Sequence, residues 1–110
     1  MQFAVTPSER DGDPVLRVSG ELDIATVDIL HAAVRHALDE RPKTLLVDLT
    51  PTHFIDSTGC RELVLMAKTG RAGGVAVEVV APPSNWRVRR VIDLVQLSDL
   101  ITVHDELPGP

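Results

Sequence analysis

The chain has 110 residues, 44% of them hydrophobic and 25% charged, which is the size and composition of one globular domain with a single core. A formal net charge of −5 and an aromatic content of 3% argue against a nucleic-acid-binding protein, because phosphates would be repelled and bases would find few stacking partners. No apolar run approaches the roughly 18 residues of a membrane span, and the first residues lack the basic and then apolar order of a signal peptide, so we expect a cytoplasmic protein that does not contact membranes.

The first two strands are predicted at residues 2–6 and 15–19. Between them, residues 9–14 contain Asp-Gly followed by Pro, which is a strong turn signal and predicts an antiparallel hairpin. From residue 24 to residue 40 apolar side chains recur every three or four positions, which predicts an amphipathic helix. Asp23 is placed to cap this helix, and Pro42 ends it.

Residues 44–49 form a short, largely apolar run, typical of a strand in the middle of a sheet. A second helix is predicted after Pro51 and a polar loop, and it ends at Gly70. The second helix has an apolar face formed by Cys60, Leu63, Val64 and Ala67. A strand over 75–81 follows, then a third helix with an apolar face at Val88, Val91, Ile92 and Val95, and a last strand at 100–103.

Strands that alternate with helices of this length require parallel, right-handed crossovers. The sequence therefore predicts one α/β domain over residues 1–110, with a mostly parallel central sheet, an N-terminal hairpin and three main helices. Its core is expected over about 3–107, and the tail from residue 107 is expected to be loose.

The polar loop between the central strand and the second helix ends in a carboxylate, Asp56, followed by two hydroxyl residues, Ser57 and Thr58. The carboxyl ends of parallel strands are where functional residues collect in open α/β sheets. Helix capping alone would explain these residue types, because side-chain oxygens at a helix start accept bonds from free backbone N–H groups. Phosphorylation is the functional alternative, since it adds about −1.5 to −2 charges at a point where a partner surface can sense them.

Two motifs resemble those of the STAS-domain anti-sigma factor antagonists, and the resemblance extends from about residue 3 to residue 107. Residues 20–23, Gly-Glu-Leu-Asp, look like the strand-end motif of that family, with Thr26 at the expected offset. Residues 56–59, Asp-Ser-Thr-Gly, look like its phosphorylation loop. Two features depart from the family pattern, because Cys60 stands where the family usually has Leu and Arg61 stands where a small residue is frequent.

The resemblance implies a STAS-like fold and a partner-switching cycle. The unmodified protein would bind an anti-sigma factor that is itself an ATP-dependent Ser kinase, and would thereby release a sigma factor. The kinase would phosphorylate Ser57, with Thr58 as the secondary candidate, and a metal-dependent Ser/Thr phosphatase would reverse the reaction. The residues implied to contact the partner are Asp23, Asp56, Ser57, Thr58, Gly59 and Arg61. We expect a monomer or weak dimer that binds no cofactor.

Two other functions are weighed against this cycle. One is a constitutive STAS scaffold, in a stress-signalling assembly or a lipid transport complex, which retains the loop without using it as a switch. The other is a weak nucleotide-binding or hydrolysing domain. No phosphate-binding loop supports it, and His53, Asp56 and Ser57 lie too close along the chain to align as a hydrolase triad. We therefore expect a binding protein and not an enzyme.

For several residues outside the motifs we expect a structural role and not a functional one. Cys60 has no partner for an internal disulfide and is expected in the core. His31, with Asp28 or Arg35 beside it, is expected to lie on a solvated helix face and not to bind a metal. Trp86 precedes a local basic group of three arginines. For this tryptophan, packing beneath the loop is favoured over anchoring a partner.

Overall fold

The computed structural model describes residues 2–109 and contains a six-stranded sheet with three helices. The strands are β1 (Ala4–Arg10), β2 (Asp13–Leu22), β3 (Thr44–Asp48), β4 (Thr52–Ile55), β5 (Ala76–Val80) and β6 (Val103–His104). The helices are α1 (Val27–Asp39), α2 (Ser57–Ala72) and α3 (Trp86–Leu94), and a 3₁₀ turn (Leu97–Asp99) follows α3. Within residues 2–109, no helix is both long enough and apolar enough to cross a bilayer.

The sheet has the order β1-β2-β3-β5-β6, and β4 pairs with the far end of β2. Among the strands of residues 2–109, only the β1–β2 pair is antiparallel; the other pairs are parallel. The predicted α/β class, hairpin and parallel sheet are therefore confirmed. On β2, β3 and β5 every second residue enters one shared core with the helices, because successive side chains of a strand point to opposite faces.

The hairpin is longer than predicted. Its pairing runs from Ala4 opposite Ser19 to Arg10 opposite Asp13, so that the turn is the two residues Asp11 and Gly12. The sequence pattern missed the outer half because most of β1 is exposed, so the ladder there depends on backbone bonds rather than on apolar side chains. Pro7 is tolerated because β1 is an edge strand of the sheet.

Helix α1 begins three residues later than expected. Residues 24–26 form a turn in which the backbone N–H groups of Thr26 and Val27 donate to the Asp23 carbonyl. Ile24, expected on the buried face, is 78% exposed. The apolar period extends into this turn, but the backbone there is held by polar contacts and leaves Ile24 in solvent.

The segment predicted as a polar loop contains a strand, β4, which pairs in parallel with residues 20–22 of β2. It has only four residues, and two of them, His53 and Phe54, are exposed, so no apolar alternation marks it in the sequence. Asn85, just before α3, holds the start of this strand. Its side-chain amide donates to the carbonyls of Leu49 (3.1 Å), Thr50 (3.2 Å) and Thr52 (2.7 Å).

The end of the chain also differs from the prediction. The last strand is Val103–His104 and not residues 100–103, and Leu100 is 54% exposed. Instead, Leu97 and Ile101 fill the core from the 3₁₀ turn and the residues after it. In the segment predicted to be loose, the Pro108 carbonyl accepts a bond from Arg10 Nε (2.7 Å), whereas Pro110 lies outside the described residues.

We predict that Asn85→Ala lowers the free energy of unfolding by about 1–3 kcal/mol, because carbonyls at the β3–β4 connection lose their donor. Chemical denaturation followed by circular dichroism measures this change. Ser84→Ala is the matched control, since Ser84 is exposed and makes no side-chain hydrogen bond within residues 2–109. Equal stability of the two variants would show that Asn85 does not hold this connection.

Candidate functional site

The two sequence motifs meet at one end of the sheet. Leu22 at the end of β2 is paired with Ile55 at the end of β4. One residue further on, the Asp56 N–H donates to the Leu22 carbonyl (3.3 Å). Asp23 and Asp56, which directly follow these paired residues, are thereby brought close together, as the parallel pairing of the strands requires. The structure thus joins two segments that the sequence only suggested were related.

A glycine and an irregular strand pairing shape the end of β2. Gly20 has a φ of +93°, which is favourable only for glycine, and the register of the β2–β4 pairing shifts between Gly20 and Glu21. An added Cβ at Gly20 would lie 2.9 Å from Phe3 Cα. Residues 15–17 of β2 pair with β3 and residues 20–22 pair with β4, so the irregularity lies within the second pairing.

Asp23 closes the turn after β2. Its carboxylate accepts a bond from the Ala25 N–H (2.9 Å). The Thr26 hydroxyl donates to the Glu21 carbonyl (2.6 Å) and accepts from the Asp23 N–H (3.1 Å), which explains why a threonine stands at this offset from the motif. Asp23 was predicted to cap α1 and to contact a partner; it holds the turn before α1, and its side chain remains half-buried beside the second motif.

Asp56 is the residue that caps α2. Its backbone is extended, and Oδ1 accepts a bond from the Gly59 N–H (2.9 Å). Ser57 is consequently the first residue of the helix and not its cap, so its hydroxyl is not needed for capping. The Ser57 side chain is exposed, whereas Thr58 is half-buried. Of the three residues for which capping was an alternative explanation, the structure assigns that role to Asp56.

Gly59 allows the helix to approach β2 closely. A Cβ built on Gly59 would lie 2.8 Å from the Leu22 carbonyl oxygen and 2.8 Å from Ile55 Cγ1. Neither group has room to retreat, because Leu22 and Ile55 are both buried and the Leu22 carbonyl also accepts the Asp56 bond. The glycine of the second motif is therefore required by packing.

The outer face of α2 continues from Ser57 through Arg61 to Leu65, all exposed and spaced four residues apart. Arg61 makes no side-chain hydrogen bond or ion pair within residues 2–109. Its neighbour Glu62 is buried and lies 3.2 Å from His31 Nδ1 on α1. His31 was expected beside Asp28 or Arg35; its contact is instead with α2, which sequence periodicity alone does not show.

Cys60 lies in the core, as predicted. A thiol near a helix N-terminus usually has a lowered pKa. Here burial, and secondarily the charge of Asp56, raise the pKa of the Cys60 thiol. The thiol is therefore protonated at neutral pH, and Cys60 acts as a small apolar residue of the core.

The tryptophan prediction is wrong. Trp86 was expected to pack beneath the loop, but it is 59% exposed at the start of α3. The loop that the prediction placed over it is instead held by the neighbouring Asn85. Asn85 was missed by the sequence analysis. An Asn directly before a helix indicates a helix cap, but the Asn85 side chain makes no cap bond to α3, so the sequence gives no signal of its contact with the β3–β4 connection.

Comparison with known proteins supports the family resemblance. The family model described as STAS domain matches residues 4–108. The anti-sigma-F factor antagonist RsfB of Mycobacterium tuberculosis is 30% identical over 97% of this chain and 88% of its own length. An anti-sigma factor antagonist from Mycobacterium paratuberculosis superposes with a TM-score of 0.80 at 27% identity, over 96% of this chain and 88% of that chain. SpoIIAA in its unphosphorylated form, at 21% identity and a TM-score of 0.69 over 96% of this chain and 90% of that chain, shares the fold.

We predict that Gly59→Ala lowers the free energy of unfolding by about 1–3 kcal/mol, even though Ala is the better helix former, because the new methyl group overlaps a backbone carbonyl. Thermal and denaturant unfolding measure the effect. Gly73→Ala, at the other end of α2, is the control, since its added Cβ would approach nothing closer than 3.6 Å. A Gly59→Ala variant as stable as the wild type would contradict the close packing of α2 on β2.

Proposed function

This chain belongs to the STAS domain family, and on that premise we propose that it is an anti-sigma factor antagonist whose binding is controlled by phosphorylation of Ser57. Its relatives of known name support the antagonist role. The observation that carries the switch is local: Ser57 is exposed at the first position of α2, while Asp56 takes over capping. A kinase can reach this hydroxyl without opening the helix.

The phosphate would have small effects on the fold itself. A helix N-terminus favours an anion by about 0.3–1 kcal/mol, and the adjacent Asp56 carboxylate opposes it. These effects have opposite sign and similar size, so the phosphorylated domain stays folded. The switch therefore needs no conformational change in this protein.

The effect on docking is larger. Asp23 and Asp56 already place two carboxylates beside Ser57, each bonded to a backbone N–H group. A phosphate adds about −1.5 to −2 charges at the same spot. Placing this charge against an acidic or apolar partner surface reduces the free energy of binding by more than the phosphate changes the stability of the domain. Because about 1.4 kcal/mol corresponds to a tenfold change in affinity, one phosphate is sufficient to end binding.

Apolar side chains near Ser57 would anchor the unmodified form. Ile24 is 78% exposed in the turn after Asp23, and Leu65 is 45% exposed on the outer face of α2. Exposed apolar groups beside a polar motif are typical of protein interfaces. We infer that the docking surface consists of the turn after β2 and the outer face of α2. It includes five of the six residues predicted from the motifs, whereas the sixth, Gly59, is buried.

The proposed cycle combines this surface with the resemblance to the anti-sigma factor antagonists. An anti-sigma factor with ATP-dependent Ser kinase activity binds the unmodified protein and releases its sigma factor, then phosphorylates Ser57 and dissociates. A metal-dependent Ser/Thr phosphatase restores the binding form. The protein acts in the cytoplasm as a monomer or weak dimer, contacts neither DNA nor membranes, and is a kinase substrate and not an enzyme.

The engagement of Asp56 also favours a binding role over hydrolysis. Its Oδ1 is bonded to the Gly59 N–H, and no hydrogen bond joins His53 to Ser57 within residues 2–109. A nucleophile, a base and an orienting group in line are therefore not assembled around Ser57.

We predict that a cognate anti-sigma kinase, obtained by pull-down from the native cells with the Ser57→Ala form as bait, transfers one phosphate from ATP to Ser57. Mass spectrometry of the intact protein and its peptides measures the site. Thr58→Ala is the matched control and should be labelled like the wild type, because Thr58 is half-buried. Labelling of Ser57→Ala equal to that of the wild type would remove Ser57 from the mechanism.

Two further substitutions separate charge from size. We expect Ser57→Asp to weaken binding to the kinase by about tenfold or more, whereas Ser57→Asn, of similar size but neutral, stays within a few-fold of the wild type. Isothermal titration calorimetry measures both. Equal affinity of wild type, Ser57→Asp and Ser57→Asn would favour the constitutive scaffold.

Arg61 is expected to contact the phosphate, because it lies one turn after Ser57 on the same exposed face of α2. With phosphoserine incorporated at position 57 during translation, ³¹P NMR should show a titration midpoint roughly 0.3 pH unit lower in wild type than in Arg61→Gln. Arg71→Gln, at the far end of α2, is the control and should match the wild type. Identical midpoints for all three proteins would exclude an Arg61–phosphate contact.

A further inference from the structure

A groove separate from the Ser57 surface runs between α3 and the exposed side of β4. Its volume is about 720 Å³, and an adjoining depression of about 610 Å³ shares Trp86, Arg90 and Leu94 with it. Ser57, Thr58 and Arg61 do not line either depression. The groove therefore belongs to a different face from the outer side of α2.

Large apolar side chains line this groove but are left in solvent. Trp86 is 59% exposed, Leu94 is 73% exposed and Phe54 is 47% exposed. Trp86 and Leu94 stand at opposite ends of α3, and Phe54 lies on β4 beside the helix. A contiguous exposed set of this kind, with a tryptophan in it, is typical of a protein-binding site and is rare on a surface without a partner.

The charge of the groove is positive, although the whole chain carries a formal net charge of −5. Arg87 and Arg90 both line it, and neither forms an ion pair within residues 2–109. Their neighbour Arg89 differs, since it binds Asp93 (3.2 Å) and Asp105 (2.6 Å). Two guanidinium groups are therefore free to meet a ligand.

Arg87 also lies where it can contact a ligand that packs on Trp86. Its guanidinium carbon lies 5.3 Å from the centre of the Trp86 ring, which holds the charge over the aromatic surface. Glu21 is the one carboxylate among the described residues of this groove. The balance of charges remains in favour of an anionic ligand.

We propose that this groove binds an acidic segment of another protein, with large apolar side chains that pack on Trp86, Leu94 and Phe54 and carboxylates that pair with Arg87 and Arg90. Both features match the groove, because apolar side chains can cover the exposed apolar residues and carboxylates are attracted to guanidinium groups that form no ion pair within residues 2–109. The proposal does not depend on the Ser57 switch, and the chain would use two faces for two partners.

Trp86 is the only tryptophan of the chain and reports directly on occupation of the groove. The probe is a synthetic amphipathic peptide without tryptophan, with Leu and Phe on one face and Glu on the other. We expect saturable binding with a shift of Trp86 emission to shorter wavelength. A matched peptide with Lys in place of Glu should bind at least about tenfold more weakly. No saturable change with the acidic peptide up to about 1 mM, or equal binding of both peptides, would overturn the proposal.

Charge reversal tests the two arginines. In the double variant Arg87→Glu, Arg90→Glu we expect the preference to change to the Lys peptide, whereas the control Arg35→Glu, Arg71→Glu on α1 and α2 keeps the preference of the wild type. The double variant reverses charge at exposed positions, and a circular dichroism spectrum like that of the wild type verifies its fold. An unchanged preference in the double variant would exclude the arginines as ligands.

Independence from the switch is tested with Ser57→Asp, which should bind the acidic peptide as the wild type does. Loss of peptide binding in this variant would overturn the separate site, whereas loss of kinase binding alone leaves it intact. A failure of Ser57 labelling would overturn the proposed switch without affecting the peptide result. Emission shifts caused by anionic lipid vesicles, or by self-association in sedimentation experiments, in the absence of any peptide effect would show that a membrane or a second copy occupies the groove instead.

Discussion

The contact between the end of β2 and the first turn of α2 is the constraint on which this structure depends. The Leu22 carbonyl accepts the Asp56 N–H, and Gly59 lets the helix lie against the same carbonyl. A buried backbone carbonyl that has found its donor resists displacement, because separating the pair would leave polar groups unsatisfied. The two motifs are therefore held in a fixed relation, and any partner that recognises both meets a surface that is already formed.

Neighbouring polar residues at this junction have different roles. Asp23 and Asp56 each bind a backbone N–H and so shape the turn and the helix start. Ser57 makes no such contribution and faces outward. Since a carboxylate bonded to backbone donors is partly neutralised, the surface around Ser57 is less repulsive than its two formal charges indicate. Because Asp56 already accepts the Gly59 N–H, a phosphate on Ser57 would gain only the weak attraction of the helix N-terminus.

The parts of the fold that depend on local pattern were predictable from sequence. The hairpin turn leaves a turn dipeptide, the buried strands β3 and β5 leave short apolar runs, and the apolar faces of the helices, apart from Ile24 and Val95, leave a periodic signal. The parts that were missed depend on contacts distant in sequence. Strand β4 is defined by its pairing with β2 and has no alternation of its own. Ile24 belongs to the apolar period of α1 but lies in a polar turn. Trp86 is exposed because no other segment within residues 2–109 covers its side chain, and the residue type alone does not show this.

The capping of α2 by Asp56 also bears on how such a domain can change over time. Because Ser57 contributes little to the helix start, a small residue substituted there should leave the architecture intact. In the proposed switch, regulation by a kinase would be separable from folding. A single mutation at Ser57 would then remove or restore the phosphorylation site without an unstable intermediate. Under this proposal, a domain of this fold could gain or lose phosphorylation control without a change elsewhere in its structure.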